Sequence, residues 1–272
     1  MYVQESGSGS IRVYLLPGGP GLPPVFYREL IDGLSHRYRL RFVGFSGTSP
    51  EPPTSYPGTI EEAAEEVLAA IDDDDSPGNT VLLGHSYGGA VAIEALHRGF
   101  PADRAILMNT FPSGDFLTRE VRERVAAMPE EFHEVYERAG DDPAEISRLT
   151  SEFWFPRHVC RVSWPESFLS GLQTTNVQFM NSVLGPSIFE PIGTVRDWNR
   201  EADISSLTLP ILVIGGAHDY YSPESVNSVY GALPRGTIIT VPAASHTPWI
   251  EDPQATLDTI VRYIEGAELH ET

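Results

Sequence analysis

Lysine is missing from this chain: all 18 basic residues are arginine. That absence removes a Schiff-base lysine for a pyridoxal cofactor and the lysine of a phosphate-binding loop. Cysteine is nearly absent too. Cys160 stands alone, so no intrachain disulfide can form. The eight histidines are scattered, with neither a His-Glu-x-x-His pattern nor a cysteine pair, which argues against a metal centre. No run of 18 apolar residues occurs, so no membrane span is expected. The opening MYVQESGSGS has no basic region followed by an apolar one, so it does not read as a secretory signal. A cytoplasmic location is the resulting expectation. Positive charge is scarce as well. The formal net charge is −20, a field that repels phosphate backbones and makes nucleic acid a poor partner.

What is present is an alternation of strand and helix signals. Short apolar runs at 11–16, 39–45, 79–84, 103–110, 209–216 and 236–242 read as strands. Helical patterns fall near 24–38, 59–71, 86–99, 223–232 and 252–265. Thr59-x-x-Glu62 forms a capping box at the start of one helix, and Asp252 stands as the cap of the last. The run 72–78 reads as a solvated turn, because its four Asp residues oppose the helix macrodipole. This alternation predicts an α/β fold with a mostly parallel, doubly wound sheet. Residues 112–202 differ: they hold helical stretches at 117–128 and 129–140, three of the four Trp, and no comparable strand. They are expected to form an inserted helical cap on a core made of 1–111 and 203–272.

One short stretch carries chemistry. Gly84-His85-Ser86-Tyr87-Gly88 lies between the apolar strand VLL and the helical AVAIEAL. A serine at a tight strand-to-helix turn is lifted above the sheet edge, where its hydroxyl can act as a nucleophile. Serine needs a base, and this architecture supplies an acid and then a histidine later in the chain. Asp219, in GAHDYYSP, and His246, in ASHTPWIEDP, follow the last two strands. They fall in loops at the carboxyl ends of strands, where open α/β sheets put their sites. Asp115 is an alternative acid, with Asp219 then capping the helix after Pro223. His85 is expected to pack or hydrogen-bond rather than react. An acyl-transfer site also needs two donors for the developing oxyanion. The Tyr87 N–H is one, and the loop PGGPG (17–21) offers Gly19 first and Gly18 next.

In motif order LPGGPG, GHSYGG, GAHDYYSP and ASHTPWIEDP, the chain resembles the α/β-hydrolase superfamily and, within it, the proline iminopeptidase family of serine peptidases. The resemblance implies Ser86, Asp219 and His246 as a triad, Gly19 and Tyr87 as the oxyanion hole, and no cofactor. It implies a cap whose acidic side chains bind the free α-amino group of a small-molecule or short-peptide substrate. Candidates for that role are Glu152, Glu166 and Glu190, beside the aromatics Trp154 and Trp164. Three departures stand out. Pro17 occupies the place of a family histidine, RFVGFSGTSP (41–50) lacks a family aspartate, and the cap has no clear Trp/Glu-rich segment. The short N-terminus also leaves the family's first antiparallel strands reduced or missing. The expected activity is hydrolysis of a small amide or peptide through an acyl-enzyme. The alternatives are hydrolysis of a small ester, thioester or lactone, or a non-hydrolytic biosynthetic or ligand-binding role on the same fold.

Overall fold

The computed structural model describes residues 1–48, 58–71, 79–140 and 142–269. The acidic run at 72–78 and the end of the 41–50 loop therefore lie outside the described residues. Among those described, seven strands form one sheet in the order β1-β3-β2-β4-β5-β6-β7. They are β1 (Tyr2–Ser6), β2 (Arg12–Leu16), β3 (Arg39–Gly44), β4 (Thr80–His85), β5 (Arg104–Met108), β6 (Ile211–Gly216) and β7 (Gly236–Val241). Strands β2 to β7 pair in parallel. Strand β1 runs antiparallel to β3, with Tyr2 opposite Gly44 and Ser6 opposite Leu40. The expected loss of the first antiparallel strands is thus partial, since one remains. Its half-exposed edge position leaves no apolar run to betray it in the sequence.

Parallel strands covered on both faces are mostly apolar, and β2, buried at every residue and without charge after Arg12, shows this. The covering helices that matter for the site are α1 (Arg28–Ser35), α2 (Ile60–Ala69) and α3 (Tyr87–His97). Thr59 caps α2 as its spacing predicts, its hydroxyl accepting from Glu62 N–H, while the Glu62 carboxylate reaches back to Gly58 N–H. Between β5 and β6 the chain makes a helical excursion: α4 (Gly114–Ala126), α5 (Glu130–Ala139), α6 (Pro143–Leu149), a wide π-type turn (Thr150–Val159), α7 (Glu166–Gln173) and α8 (Val177–Val183). Its exit and return are stitched together: Gly114 N–H donates to Trp198 C=O at 2.9 Å and Arg200 N–H to Pro112 C=O at 2.9 Å. After β6 come α9 (Pro223–Tyr230), α10 (Pro248–Glu251) and α11 (Pro253–Ile264), the last capped by Asp252. No helix among the described residues is long and apolar enough to cross a membrane.

A buried charge locks the end of the excursion to helix α3. Glu94 is fully buried and accepts from Arg98 Nε at 2.7 Å, Arg200 Nε at 2.7 Å, Arg200 Nη2 at 3.0 Å and Trp198 Nε1 at 3.1 Å. Burial alone would raise its pKa, but the bonds from Arg200, Arg98 and Trp198 outweigh burial and bring it from 4.5 to about 2. A folded-state pKa below the unfolded one contributes stability that is complete above the unfolded value and is lost as pH falls toward the folded one. Chemical denaturation at a series of pH values should therefore show this contribution disappearing between about pH 4.5 and 2. Glu94→Gln should cost about 2 kcal/mol at neutral pH, less than the full shift because solvent screens the partly exposed arginines. It should also flatten that part of the profile.

Candidate active site

The turn that carries Ser86 is made by backbone geometry. Strand β4 ends at His85, Ser86 sits at φ 53° and ψ −122°, and α3 begins at Tyr87. A non-glycine residue there is strained, by about 1–3 kcal/mol. The surroundings hold it in place. Ser86 N–H donates to Met108 C=O at 2.9 Å, and the Thr110 hydroxyl donates to Ser86 C=O at 2.6 Å. Gly88 permits the close approach behind the turn, since a Cβ there would lie 2.3 Å from Leu16 O and 2.5 Å from Pro17 O. The loop after β2 is thereby pressed against the serine turn.

The structure brings Ser86, His246 and Asp219 into one hydrogen-bonded line. His246 Nε2 is 3.0 Å from Ser86 Oγ and Nδ1 is 3.0 Å from Asp219 Oδ1, all three residues being buried. A carboxylate oxygen accepts, so Nδ1 carries the proton and Nε2 offers its lone pair to the serine hydroxyl. Asp115 instead lies exposed in the first turn of α4. Asp219 does not cap the following helix either, because the Ser222 side chain does. Three residues not singled out in the sequence surround this line. Asn109, at φ 47° just past β5, donates from Nδ2 to Asp219 Oδ2 at 2.6 Å and to Ser245 C=O at 2.9 Å. Asparagine tolerates this left-handed conformation well. Glu251 accepts from Ser245 N–H at 2.7 Å and Thr247 N–H at 3.3 Å, gripping both sides of His246. The Tyr220 hydroxyl lies 3.0 Å from His246 Nε2.

His85 packs and hydrogen-bonds, as its position beside Ser86 suggests. Its Nε2 is 3.0 Å from His246 C=O and its Nδ1 is 2.8 Å from the Tyr27 hydroxyl, which in turn accepts from Gly18 N–H at 2.6 Å. Burial first, and then the neighbouring His246, push its pKa well below 6.5, so the ring is neutral. A carbonyl can only accept, so the single ring proton is on Nε2. Every proton then has a direction: Gly18 N–H to Tyr27, Tyr27 O–H to His85, and His85 N–H to the backbone of His246. The 17–21 loop and the His246 loop are joined through one imidazole. Trp249 closes this layer, stacked on Tyr27 with ring centres 5.3 Å apart. The signal for Tyr27 is not in its local sequence, because its partners lie at positions 18 and 85.

Above Ser86 is a cavity of about 420 Å³, within the range of small-molecule sites. Gly19, Tyr87 and His246 line it together with Ser86, and its apolar wall includes Leu117, Phe155, Val159, Met180 and Leu184 from the helical excursion. The π-type turn shapes part of that wall. Pro156 lacks an N–H, and the turn closes with Cys160 N–H donating to Phe155 C=O at 2.9 Å, five residues back. Burial pushes the Cys160 thiol up to about 11, so it is no competing nucleophile at neutral pH.

The remaining candidates are placed elsewhere. Glu152 is exposed and paired with Arg148 at 3.1 Å. Glu166 is exposed in the first turn of α7. Glu190 is exposed, accepts from the Tyr136 hydroxyl at 3.1 Å and lines a neighbouring surface hollow. Trp154 is buried one layer back, against Tyr220 with ring centres 5.6 Å apart, and Trp164 packs on Phe155 and Phe168. None of these five lines the cavity over Ser86. Their proximity in sequence to aromatic residues therefore did not put them at the site. Surface ion pairing holds Glu152, and aromatic packing holds the tryptophans. Among the described residues no group of three or more His, Cys, Asp or Glu is gathered as a metal site.

Comparison with known proteins agrees with this architecture. The chain is 26% identical to a proline iminopeptidase of Chitinophaga pinensis, over 94% of this chain and 90% of that protein. It is 25% identical to a proline iminopeptidase of Flavobacterium johnsoniae, over 97% and 93%. The crystal structure of a Mycobacterium smegmatis proline iminopeptidase shares the fold, with a TM-score of 0.83 at 20% identity, covering 97% of this chain and 94% of that one. The model of the alpha/beta hydrolase family matches residues 13–259. The chain belongs to the alpha/beta hydrolase family.

Proposed function

We propose that this chain is a serine hydrolase that cleaves a small amide or peptide through an acyl-enzyme, in the manner of a proline iminopeptidase. The hydrogen-bonded line from Ser86 through His246 to Asp219, opening into an apolar cavity, is the observation that carries the reading. In this reading Ser86 Oγ adds to the substrate carbonyl carbon and its proton passes to His246 Nε2. Asp219, held by Asn109, fixes the tautomer and stabilises the imidazolium. His246 then protonates the leaving nitrogen as the C–N bond breaks. Water repeats the sequence on the acyl-enzyme and restores Ser86.

The oxyanion is held by the N–H groups of Tyr87 and Gly19. Tyr87 opens α3, where backbone N–H groups have no helical acceptor. Gly18 N–H is committed to Tyr27, which leaves its neighbour Gly19, at φ 114°, facing the cavity. Residues 112–202 act as the cap over a core of 1–111 and 203–272, and they set the shape of the acyl pocket. The relatives from Chitinophaga and Flavobacterium support an amide or peptide substrate. The cavity wall favours a second reading, a small ester, thioester or lactone. Among the described residues no carboxylate lines the cavity, so an α-ammonium group would find no counter-charge among them.

Three outcomes test these assignments. A fluorophosphonate probe should label the protein stoichiometrically and leave Ser86→Ala unlabelled; a wild type that resists labelling removes the acyl-enzyme. Asp219→Asn should lower kcat by about 10⁴-fold through the wrong imidazole tautomer, with the fold intact by circular dichroism. A screen of proline arylamide, its N-acylated form and short acyl esters decides the substrate: preference for the free amine supports the aminopeptidase reading, and preference for esters supports the second.

Tyr27→Phe tests the oxyanion loop separately. It deletes the acceptor of Gly18 N–H and the donor to His85. It should cost about 1–2 kcal/mol of stability and lower kcat by about tenfold more than it changes KM. Denaturant titration and steady-state kinetics measure the two effects.

A further inference from the structure

The Tyr220 hydroxyl has no task in the serine–imidazole–carboxylate line, yet it stands as near to His246 Nε2 as Ser86 Oγ does, each at 3.0 Å. Its ring leans over the imidazole with centres 4.5 Å apart and planes 31° from parallel. Trp154 and Tyr221 back it on other sides, with ring centres 5.6 and 4.3 Å away. The residue is 5% exposed and lines the cavity together with Ser86 and His246. A rigid, buried phenol is thus aimed at the atom through which every transferred proton passes. Burial, and then the Asp219 charge, keep it protonated at working pH.

Neutral imidazole has one lone pair at Nε2, and Ser86 must use it to lose its proton. Two donors cannot share it fully, so when Ser86 is engaged the Tyr220 hydroxyl is left with its other neighbours, Ser86 and Tyr221, and with the cavity. The atom that meets Nε2 from the cavity side has a hydrogen to spare in both half-reactions. During acylation the Ser86 Oγ–C bond forms and the C–N bond breaks, and the leaving nitrogen takes the proton from Nε2 while keeping its own N–H. During deacylation a water O–C bond forms and the Ser86 ester bond breaks. That water gives one proton to Nε2, from which it passes to Ser86 Oγ, and keeps its other O–H until product leaves. Tyr220 Oη is placed beside that position and can accept the spare hydrogen each time without giving up its own.

We infer that Tyr220 is a further catalytic residue, whose hydroxyl holds the leaving nitrogen and then the attacking water against His246 Nε2. The inference rests on the proposed acyl-enzyme reading. It adds a specificity consequence: leaving groups with an N–H are favoured over tertiary amides, which have none to offer.

Tyr220→Phe removes one oxygen and keeps the ring packing. It should lower kcat for a secondary arylamide by about tenfold, a hydrogen bond's worth, with KM changed by less than about twofold. Labelling by a fluorophosphonate should slow by less than about threefold, because fluoride departs with no spare hydrogen and no water attacks. Unchanged kcat would overturn the inference. So would a parallel fall in labelling rate, which would mean that the hydroxyl merely positions His246. A wild type that is not labelled at all would instead remove the serine reading itself, so the two failures are separable.

Discussion

The site depends on one close approach, that of the Ser86 turn to the loop after β2. Ser86 can hold its strained backbone only where packing and hydrogen bonds on both sides leave no other conformation. Gly88 lets the carbonyls of Leu16 and Pro17 press within a distance that any side chain would block. Met108 and Thr110, on and just past β5, bond the turn from the other side. The strain of about 1–3 kcal/mol is thus set against packing from two neighbouring strands. The same approach puts the loop carrying Gly19 within reach of whatever Ser86 attacks. The proposed nucleophile and oxyanion donors are therefore one construction, made by the contact of β4, α3 and the loop after β2.

A second layer makes the first one rigid. His85 lies one residue before Ser86 and joins two loops that are far apart in sequence. Its neutrality is what lets the proton order be read: with the one ring proton on Nε2, Nδ1 can only accept, so the Tyr27 hydroxyl donates to it while receiving Gly18 N–H. Glu251 does similar work for the base loop by gripping the backbone on both sides of His246. Both devices hold backbone, which leaves the His246 ring free to exchange partners at Nε2 during proton transfer.

The gathering of Ser86, Asp219 and His246 was more legible in the sequence than the lining of the cavity. Ser86, Asp219 and His246 each follow an apolar strand, and strand ends in a parallel sheet converge by topology, so order along the chain was enough to group them. Asn109 was readable by the same rule, as a polar residue just past β5, but nothing local separates it from an ordinary turn asparagine. Tyr27, His85 and Gly18 form a network that exists only after folding. The edge strand β1 was hidden because a half-exposed strand alternates weakly. Glu152, Glu166 and Glu190 failed to reach the cavity for a different reason. Helices of an excursion are placed by their packing on each other, and sequence gives each helix a face without saying which neighbour it meets.

That difference has a physical consequence for specificity. The sheet fixes catalytic atoms through backbone hydrogen bonds, and a shift of a single strand register would cost most of them at once. The helices between β5 and β6 contribute apolar surface instead, and apolar surface is non-directional. They can be re-sorted with little effect on Ser86 as long as the exit and return stay locked. Glu94 supplies that lock from helix α3, through Arg200 and Trp198 at the return of the excursion. The cavity wall can therefore lose a carboxylate anchor and keep its chemistry. Under the proposed acyl-enzyme reading the wall selects the shape and apolarity of the acyl group, while the charged and directional contacts stay with residues at the strand ends.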